Sequence, residues 1–424
     1  MSRKKPQQGQ QFIVQKDGTV EEIATEAYGD PTKSYLVWGA NTLATNTVKR
    51  GDALIIPGEP PAVKISGKEA DQMTVLIDGI EIPMESVRVV RTMDTGADGW
   101  VGTMPWVPGE DRKIDEATRP YGYPRSAVYI GNELVLSGLL YGVQPEFGEG
   151  DRGRIKNLSG YSFTADAIDS NVPEPYEYTN VALEQLAAGF AALLGIKAVF
   201  LSDSGGAFAR VTAGETESIF GFLSKLAAER GLLVSCTNEG NLLFHRALTT
   251  GTPVGTVAEG DALVTHWAAN YDGRRRYHTY NCIQAGVTNA DLRWEVVAPD
   301  AVGPVSIKSI DTGVPRSRFM TFRADNVTPG NVEDAARWRK NKQLADALTN
   351  ELPVSSWYAP NGELWQPNTL LTVVSPTLGV PKGFTFLIRA VEFVQEDRRH
   401  AVLHLVPPQA FSRDRDLGDI WTLD

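Results

Sequence analysis

The chain has 424 residues, with 41 Lys and Arg against 52 Asp and Glu, a formal net charge of −11. An acidic chain repels phosphate backbones and anionic lipid, which excludes a general nucleic-acid binder. Hydrophobic residues at 42% and charged residues at 22% describe a globular chain of about three domains, not a disordered one. The 40 Gly and 25 Pro lean toward turn-rich β structure. Two cysteines, Cys236 and Cys282, cannot build a disulfide framework or an all-cysteine zinc site, and they fit a reducing compartment. No apolar segment follows the opening MSRKKPQQGQ. The longest apolar stretch, residues 187–201, is interrupted by Gly195 and Lys197 and is shorter than the roughly 20 residues of a membrane span. The expectation is a protein soluble when made, with no membrane anchor and no nucleic-acid partner.

In chain order, residues 1–10 read as a flexible tail and 11–58 as a compact unit. In that unit Phe12 and Val14 alternate on a strand, and Gly18-Thr19 opens a helix carrying Val20, Ile23, Ala24 and Tyr28. Trp38 sits on a second helix closing at Asn41, and Val48, Gly51, Leu54, Ile56 and Pro57 form a closing strand. Residues 59–71 read as a linker. Residues 72–171 alternate as strands, with hairpin signals at Asp78-Gly79 and Gly131-Asn132 and no helical pattern between them, which predicts antiparallel pairing. Residues 172–250 read as a small α/β unit. Its first helix is capped by Thr179 or Asn180 and ends at Gly195. Its second runs from about Ala213 to Arg230 with a Thr212/Glu215 capping box and Gly231 as its stop, and a hairpin follows at Glu239-Gly240. Residues 251–411 return to strands with one helix, 331–350, capped by Asn331. Gly362 permits a turn, and Pro367 keeps the start of the next strand extended. Residues 412–424 read as a tail.

The segment FIVQKDGTVEEIATEAYGDPTKSYLVWGANTLATNTVKRGDALIIPG resembles a LysM domain in its βααβ order and its VKRGDALIIP ending. LysM domains commonly bind N-acetylglucosamine chains through two loops, which here hold Asp17, Gly18, Thr19, Val20, Asn41, Thr42, Asn46 and Thr47. The sequence has Asp17-Gly18-Thr19 where the usual order is Gly-Asp-Thr, and the loops lack an aromatic face for stacking on a sugar. Glycan binding and docking onto another protein both remain open for this unit.

The rest of the chain carries an ordered set of segments: YSFTADAIDSN, ETESIFGFLSKLAAERGLLVSCTNEGNLLFHRA, NVEDAARWRKNKQLADALTNELPVSSWYAPNGELWQPNTLLTVVSPTLGV and AVEFVQEDRRHAVLHLVPPQAF. Ser162 to Ala167 and Leu364 to Thr369 carry it most strongly. The set resembles the baseplate hub proteins of contractile-tail phages, the Mu-like tail protein P and late control protein family. The resemblance implies an α+β, mainly β fold: a LysM unit, two tube-like antiparallel β-barrel domains at 72–171 and 251–411, and the inserted α/β domain. It also implies a homotrimeric ring joining a tail tube protein to a spike protein, with a tape measure protein in its lumen and baseplate wedge proteins around it. Such a hub is assembled in the host cytoplasm and resides in the virion tail. In these systems LysM is more usually a separate small tail protein, so its fusion here is a departure.

The search for chemistry assigns no catalytic residue, metal or cofactor. His400 and His404 share one face of a predicted strand, but a metal needs a third ligand, and Arg398 and Arg399 oppose a cation. Cys236 and His245 have the types of a nucleophile and base, yet a cysteine in a hairpin is more often a small core residue. Glu21, Glu22 and Glu26 lie on the outer face of a helix, and Ser202 to Gly206 lacks the lysine of a phosphate loop. Arg274-Arg275-Arg276 reads as a solvated turn or a subunit contact. Gly231, Gly240, Gly362 and Pro367 serve backbone geometry. The competing readings are a LysM-targeted peptidoglycan hydrolase and a cell-wall adhesin, with peptidoglycan as the partner in either.

Overall fold

Alternating side chains and glycine turns dominate this sequence, and strands dominate its structure, 43% of residues against 20% in helices. The computed structural model describes residues 6, 10–29, 37, 41, 47–56, 72–148, 153–264, 266–284, 306–324, 332–377 and 379–411. The chain divides into one unit of Met1–His245 with Val394–Arg398 and a second of Arg246–Phe393 with Arg399–Asp424.

The first unit opens with β1 (Gln10–Ile13), β2 (Gly18–Thr19), α1 (Val20–Tyr28), β3 (Thr47–Val48) and β4 (Ala53–Ile56). β1 pairs antiparallel with β4, and β2 with β3. Phe12, Val14, Val20, Ile23, Val37, Val48, Leu54 and Ile56 form its core. Thr19 caps α1 through a reciprocal box with Glu22, and Gly29, at φ 73°, ends the helix in the left-handed region. Val37 and Asn41 are helical, whereas Trp38 and Pro57 lie outside the described residues.

Next come β5 (Met73–Ile77), β6 (Ile80–Ile82), β7 (Ser86–Thr92), β8 (Gly99–Pro105), α2 (Arg112–Ala117), β9 (Arg125–Ile130), β10 (Glu133–Phe147) and β11 (Arg154–Ser162). Their order across the sheet is β7-β8-β11-β10-β9-β5-β6, and each of these pairings is antiparallel, as the alternation predicts. Asp78 and Gly79 both take positive φ, which is what a two-residue hairpin turn demands, and the register runs Ile77↔Ile80. β10 is 15 residues long, and its register shifts at Leu134/Leu136 and Leu140/Gly142 let it bend. Trp100 is buried, and its Nε1 donates to Ser126 Oγ at 3.1 Å. Gly160 is the floor beneath that ring, and a Cβ at Gly138 would collide with the backbone of Tyr161 and Ser162.

From the end of β11 the chain enters α3 (Ala165–Asp169), β12 (Glu177–Val181), α4 (Leu183–Leu193), β13 (Ala198–Phe200), β14 (Phe208–Thr212), α5 (Ile219–Glu229), β15 (Leu233–Cys236) and β16 (Leu242–His245). β13 lies parallel to β16, which pairs antiparallel with β15. Phe190, Phe222, Leu226 and Phe244 anchor a core between these strands and α4 and α5. Both helices start later than the sequence predicts. Thr179 and Asn180 belong to β12, and α4 is entered at Ala182, whose N–H donates to Gln185. Thr212 belongs to β14, and α5 is capped by Ser218, whose hydroxyl accepts from Gly221 N at 3.0 Å. The reason is tertiary: Thr179 and Thr212 are needed in extended form for the β12–β14 ladder, while Asn180 takes a left-handed φ of 49° between its paired residues.

The second unit holds β17 (Thr256–Ala258), β18 (Ala268–Tyr271), β19 (Thr279–Gln284), β20 (Ser306–Ile310), β21 (Phe319–Ala324), α6 (Val332–Asp346), β22 (Leu348–Val354), β23 (Leu370–Ser375), β24 (Val380–Gln395) as far as Phe393, and β25 (Arg399–Val406). One sheet runs β18-β22-β25-β24, with β23 on β24 and β17 on β23. A separate sheet has the order β20-β19-β21, with Cys282 packed on Val332 and Ala336 of α6. Two pairings depart from the antiparallel expectation, since β17–β23 and β19–β21 are parallel. The helix also ends earlier than residue 350, because β22 takes over at Leu348 to pair with β18 and β25. Asn331 and the tail 412–424 lie outside the described residues.

Gly138→Ala and Gly160→Ala are each expected to destabilise the fold by about 1–3 kcal/mol through overpacking. Gly189→Ala on the exposed side of α4, where an added Cβ meets nothing within 4 Å, is expected to stabilise it by about 0.5–1 kcal/mol. Urea midpoints of the three variants check both signs.

Candidate functional site

The LysM-like loops are the first candidate. Pairing of β2 with β3 sets Thr19 opposite Thr47, so the two loops do converge. Several of their described side chains are held by hydrogen bonds within the chain, although Asp17 and Thr47 stay exposed. Asp17 Oδ1 accepts from Arg50 N at 2.7 Å. Thr19 Oγ1 accepts from Glu22 N at 3.3 Å, and the Glu22 carboxylate lies against Gly18. Val20 is fully buried in the core. Asn41 donates to Val37 O and Ile55 O, both at 2.7 Å, and accepts from Ile55 N at 2.6 Å. Its amide thereby satisfies the outer edge of β4 as a neighbouring strand would. Thr42 and Asn46 lie outside the described residues.

Cys236 and His245 are the second candidate. Both are buried at the ends of β15 and β16, but Cys236 stands opposite Leu242 while His245 stands opposite Leu233. His245 Nε2 is engaged by Ser235 Oγ at 3.1 Å and by Met93 O at 3.0 Å. Burial pushes the Cys236 thiol well up, and the neighbouring Asp98 pushes it further, which opposes thiolate formation. His404 has Glu392 Oε1 at 2.8 Å and Glu351 Oε1 at 3.9 Å, a hydrogen bond and an outlying ion-pair contact across neighbouring strands. Among the described residues no group of three or more His, Cys, Asp or Glu is placed to hold a metal ion.

An open cleft of about 400 Å³ is lined by Trp106, Pro108, Pro145, Glu146, Phe147 and Arg154. Lys156 lies 4.0 Å from the centroid of the Trp106 ring, and Trp106 Nε1 donates to Asp115 Oδ1 at 2.6 Å. Glu146 is the one carboxylate in the lining, and it accepts from Gln144 and Asn157 at 2.9 and 2.8 Å. Glycoside hydrolysis needs two facing carboxylates, an arrangement this cleft does not offer.

The feature that sequence reading missed is a buried polar cluster. Asp98 is 2% exposed and lies 3.4 Å from Arg91, which is also buried. Its Oδ1 accepts from Thr92 N at 2.9 Å, its N–H donates to Ser162 Oγ at 3.1 Å, and its carbonyl accepts from Ser162 N at 2.9 Å. Ser162 and Thr164 hydroxyls share a hydrogen bond of 2.7 Å. The cluster therefore fixes the point where β11 hands the chain to the α/β insertion. An Asp between alanine and glycine in a loop gives no sequence signal for this role.

The turn residues behave as geometry requires. Gly231 (φ 70°), Gly240 (φ 81°) and Gly362 (φ 86°) all lie in the left-handed region. Gly240 has a second role: a Cβ there would strike Ser137 O and the Phe163 ring, and Asn238 Nδ2 donates to Leu134 O at 2.8 Å. The hairpin tip thus rests on β10. Pro367 is not at the strand start, because left-handed Asn368 intervenes before β23. Asn368 instead ties the chain down, accepting from Leu248 N at 2.8 Å and donating to Arg246 O at 3.0 Å.

Comparison with known proteins agrees with this architecture. The 43 kDa tail protein of prophage MuSo2 from Shewanella oneidensis has the same fold, with a TM-score of 0.68, 22% identity and coverage of 81% of this chain and 100% of that one. The tail protein from Neisseria meningitidis MC58 superposes with a TM-score of 0.67, 15% identity and coverage of 81% and 99%. The fold is shared with these phage and prophage tail proteins. Residues 164–246 match the second domain of the gp44-like baseplate hub proteins, and residues 328–414 match the fourth domain of the Mu phage baseplate assembly protein GpP. The baseplate hub protein gp44 of Escherichia phage Mu is 28% identical over 276 residues, 63% of this chain and 70% of that protein. The chain is thus related to the gp44/GpP-like baseplate hub proteins of Mu-like phage tails.

Burial pushes the Asp98 carboxyl up, against the attraction of Arg91 and the Thr92 N–H. A carboxyl raised in the fold binds more protons folded than unfolded, so its contribution to stability falls as pH rises from about 4 through its folded value. Asp98→Asn carries no such proton and is expected to flatten that descent. Urea midpoints of the two proteins between about pH 4 and pH 7 check it; parallel curves would assign Asp98 an ordinary carboxyl.

Proposed function

We propose that this chain is the structural hub of a contractile phage-like tail baseplate. Three copies, each contributing two tube-like barrels, form a ring that joins the tail tube protein to the spike protein. The tape measure protein ends in the lumen, and wedge proteins surround the ring. The protein is a virion component assembled in the host cytoplasm, and its role is mechanical, not catalytic. The observation that carries this reading is the ordered pair of hub-domain matches, supported by the 28% identity to Mu gp44. What further supports a scaffold is that the buried polar groups at Asp98 and His245 are engaged in internal hydrogen bonds.

The N-terminal module is read as a LysM unit that docks the hub onto a protein partner. Among the described residues Asp17, Thr19 and Asn41 are each held by an internal hydrogen bond and Val20 is in the core, which supports docking over a grip on sugar. Peptidoglycan binding is the second outcome its fold allows.

Two measurements test the reading. A tagged chain is expected in purified tails at the baseplate end by immunogold labelling, and its deletion is expected to yield tails without a spike. Tails that assemble normally without it would remove the hub role. The full chain is expected to stay in the supernatant when spun with purified sacculi; retention that soluble N-acetylglucosamine oligomers abolish would reverse the docking assignment.

A further inference from the structure

Within an acidic chain, one stretch of the second unit is basic. In the described residues 266–284 and 306–324 the carboxylates are Asp272 and Asp311, and both are already paired, with Arg274 at 2.6 Å and Arg276 at 2.9 Å. Arg275, Lys308 and Arg316 are exposed and have no carboxylate at salt-bridge distance among the described residues. Arg318 donates to Gly273 O and Arg274 O at 3.0 and 2.6 Å, which draws the turn at Gly273–Arg275 against the residue before Phe319.

The β20-β19-β21 sheet gives these cations a common setting. Successive side chains of a strand point to opposite faces. Ile307, Cys282 and Phe322 pack with Val332 and Ala336 of α6. The opposite face carries the row Ile310, Thr279, Phe319 in register across three strands, and beside it the row Lys308, Asn281, Thr321. Ile310 and Phe319 are 53% and 69% exposed. Thr279 between them is buried, with its hydroxyl 2.9 Å from His278 Nδ1, and Asn281 is held by Ser306 Oγ at 2.6 Å. The apolar row therefore has Lys308 on one side and the arginine-bearing turns at the strand ends on the other.

We infer that this face docks an acidic polypeptide segment of a partner protein, which sets an apolar side chain on Ile310 and Phe319 and carboxylates on Lys308, Arg275 and Arg316. An exposed apolar centre marks an interaction surface, and the charges at its rim select the sign of the partner. A guanidinium takes a carboxylate through a planar fork. A polypeptide fits this face better than a nucleic acid. The row offers one ring, where a bound single strand stacks on several, and a net charge of −11 opposes a polyanion. The inference goes beyond the hub reading and stands without it.

The test titrates the full chain with a fluorescein-labelled random copolymer of glutamate and tyrosine, read by anisotropy, beside polyglutamate and a thymidine oligonucleotide. The copolymer is expected to bind more tightly than polyglutamate and to be released as salt rises. Phe319→Ser and the double variant Lys308→Glu/Arg316→Glu are each expected to weaken binding about tenfold. Urea midpoints are expected to stay unchanged, because all three side chains are exposed. Lys308→Arg is expected to retain binding. No binding, binding that neither variant weakens, or an oligonucleotide that binds more tightly than the copolymer would each overturn the inference. A light-scattering mass that falls in Phe319→Ser would put a second copy on this face and overturn it as well. None of these results bears on the tail-incorporation test of the hub role.

Discussion

A buried carboxylate has to be hydrogen-bonded or matched by charge, and Asp98 meets that requirement where β11 ends and the α/β insertion begins. Its backbone pairs with Ser162, its carboxylate takes the Thr92 N–H, and Arg91 lies beside it. Ser162 closes β11, and Thr164, bonded to it, opens the insertion. Cys236 comes back to the same cluster from β15. The insertion can therefore leave the first sheet and return to it within one polar knot.

Around that knot, close approach replaces chemistry. Gly160 makes room for Trp100, Gly138 lets β10 lie against β11, and Gly240 lets the β15–β16 turn touch Ser137 and Phe163. Each contact demands the absence of a side chain, so each fixes a distance instead of a reaction.

Much of the local plan was legible in the sequence. Asp78-Gly79 announced its hairpin, Gly195 and Gly231 marked helix ends, and the alternation in β7, β8 and β11 declared antiparallel strands. Apart from Asp17, the described residues expected in the LysM-like loops lie instead in β2, at the start of α1, in β3 and, at Asn41, in helix, because the β2–β3 pairing draws them into regular structure. Asn41 reads the same whether it contacts a sugar or clamps Ile55. Cap assignments failed at Thr179 and Thr212 because a capping side chain competes with strand pairing, and the β12–β14 ladder decides the contest from a distance.

The sequence by itself determined where the chain turns and which residues are buried along each element, because those depend on neighbours within a few positions. Only the tertiary structure decided the parallel pairings of β17 with β23 and β19 with β21, and the convergence of Asp98, Ser162 and Cys236. These join residues that are from about 40 to more than 100 positions apart, and no local pattern records which distant strand or charge will satisfy a given backbone edge or carboxylate.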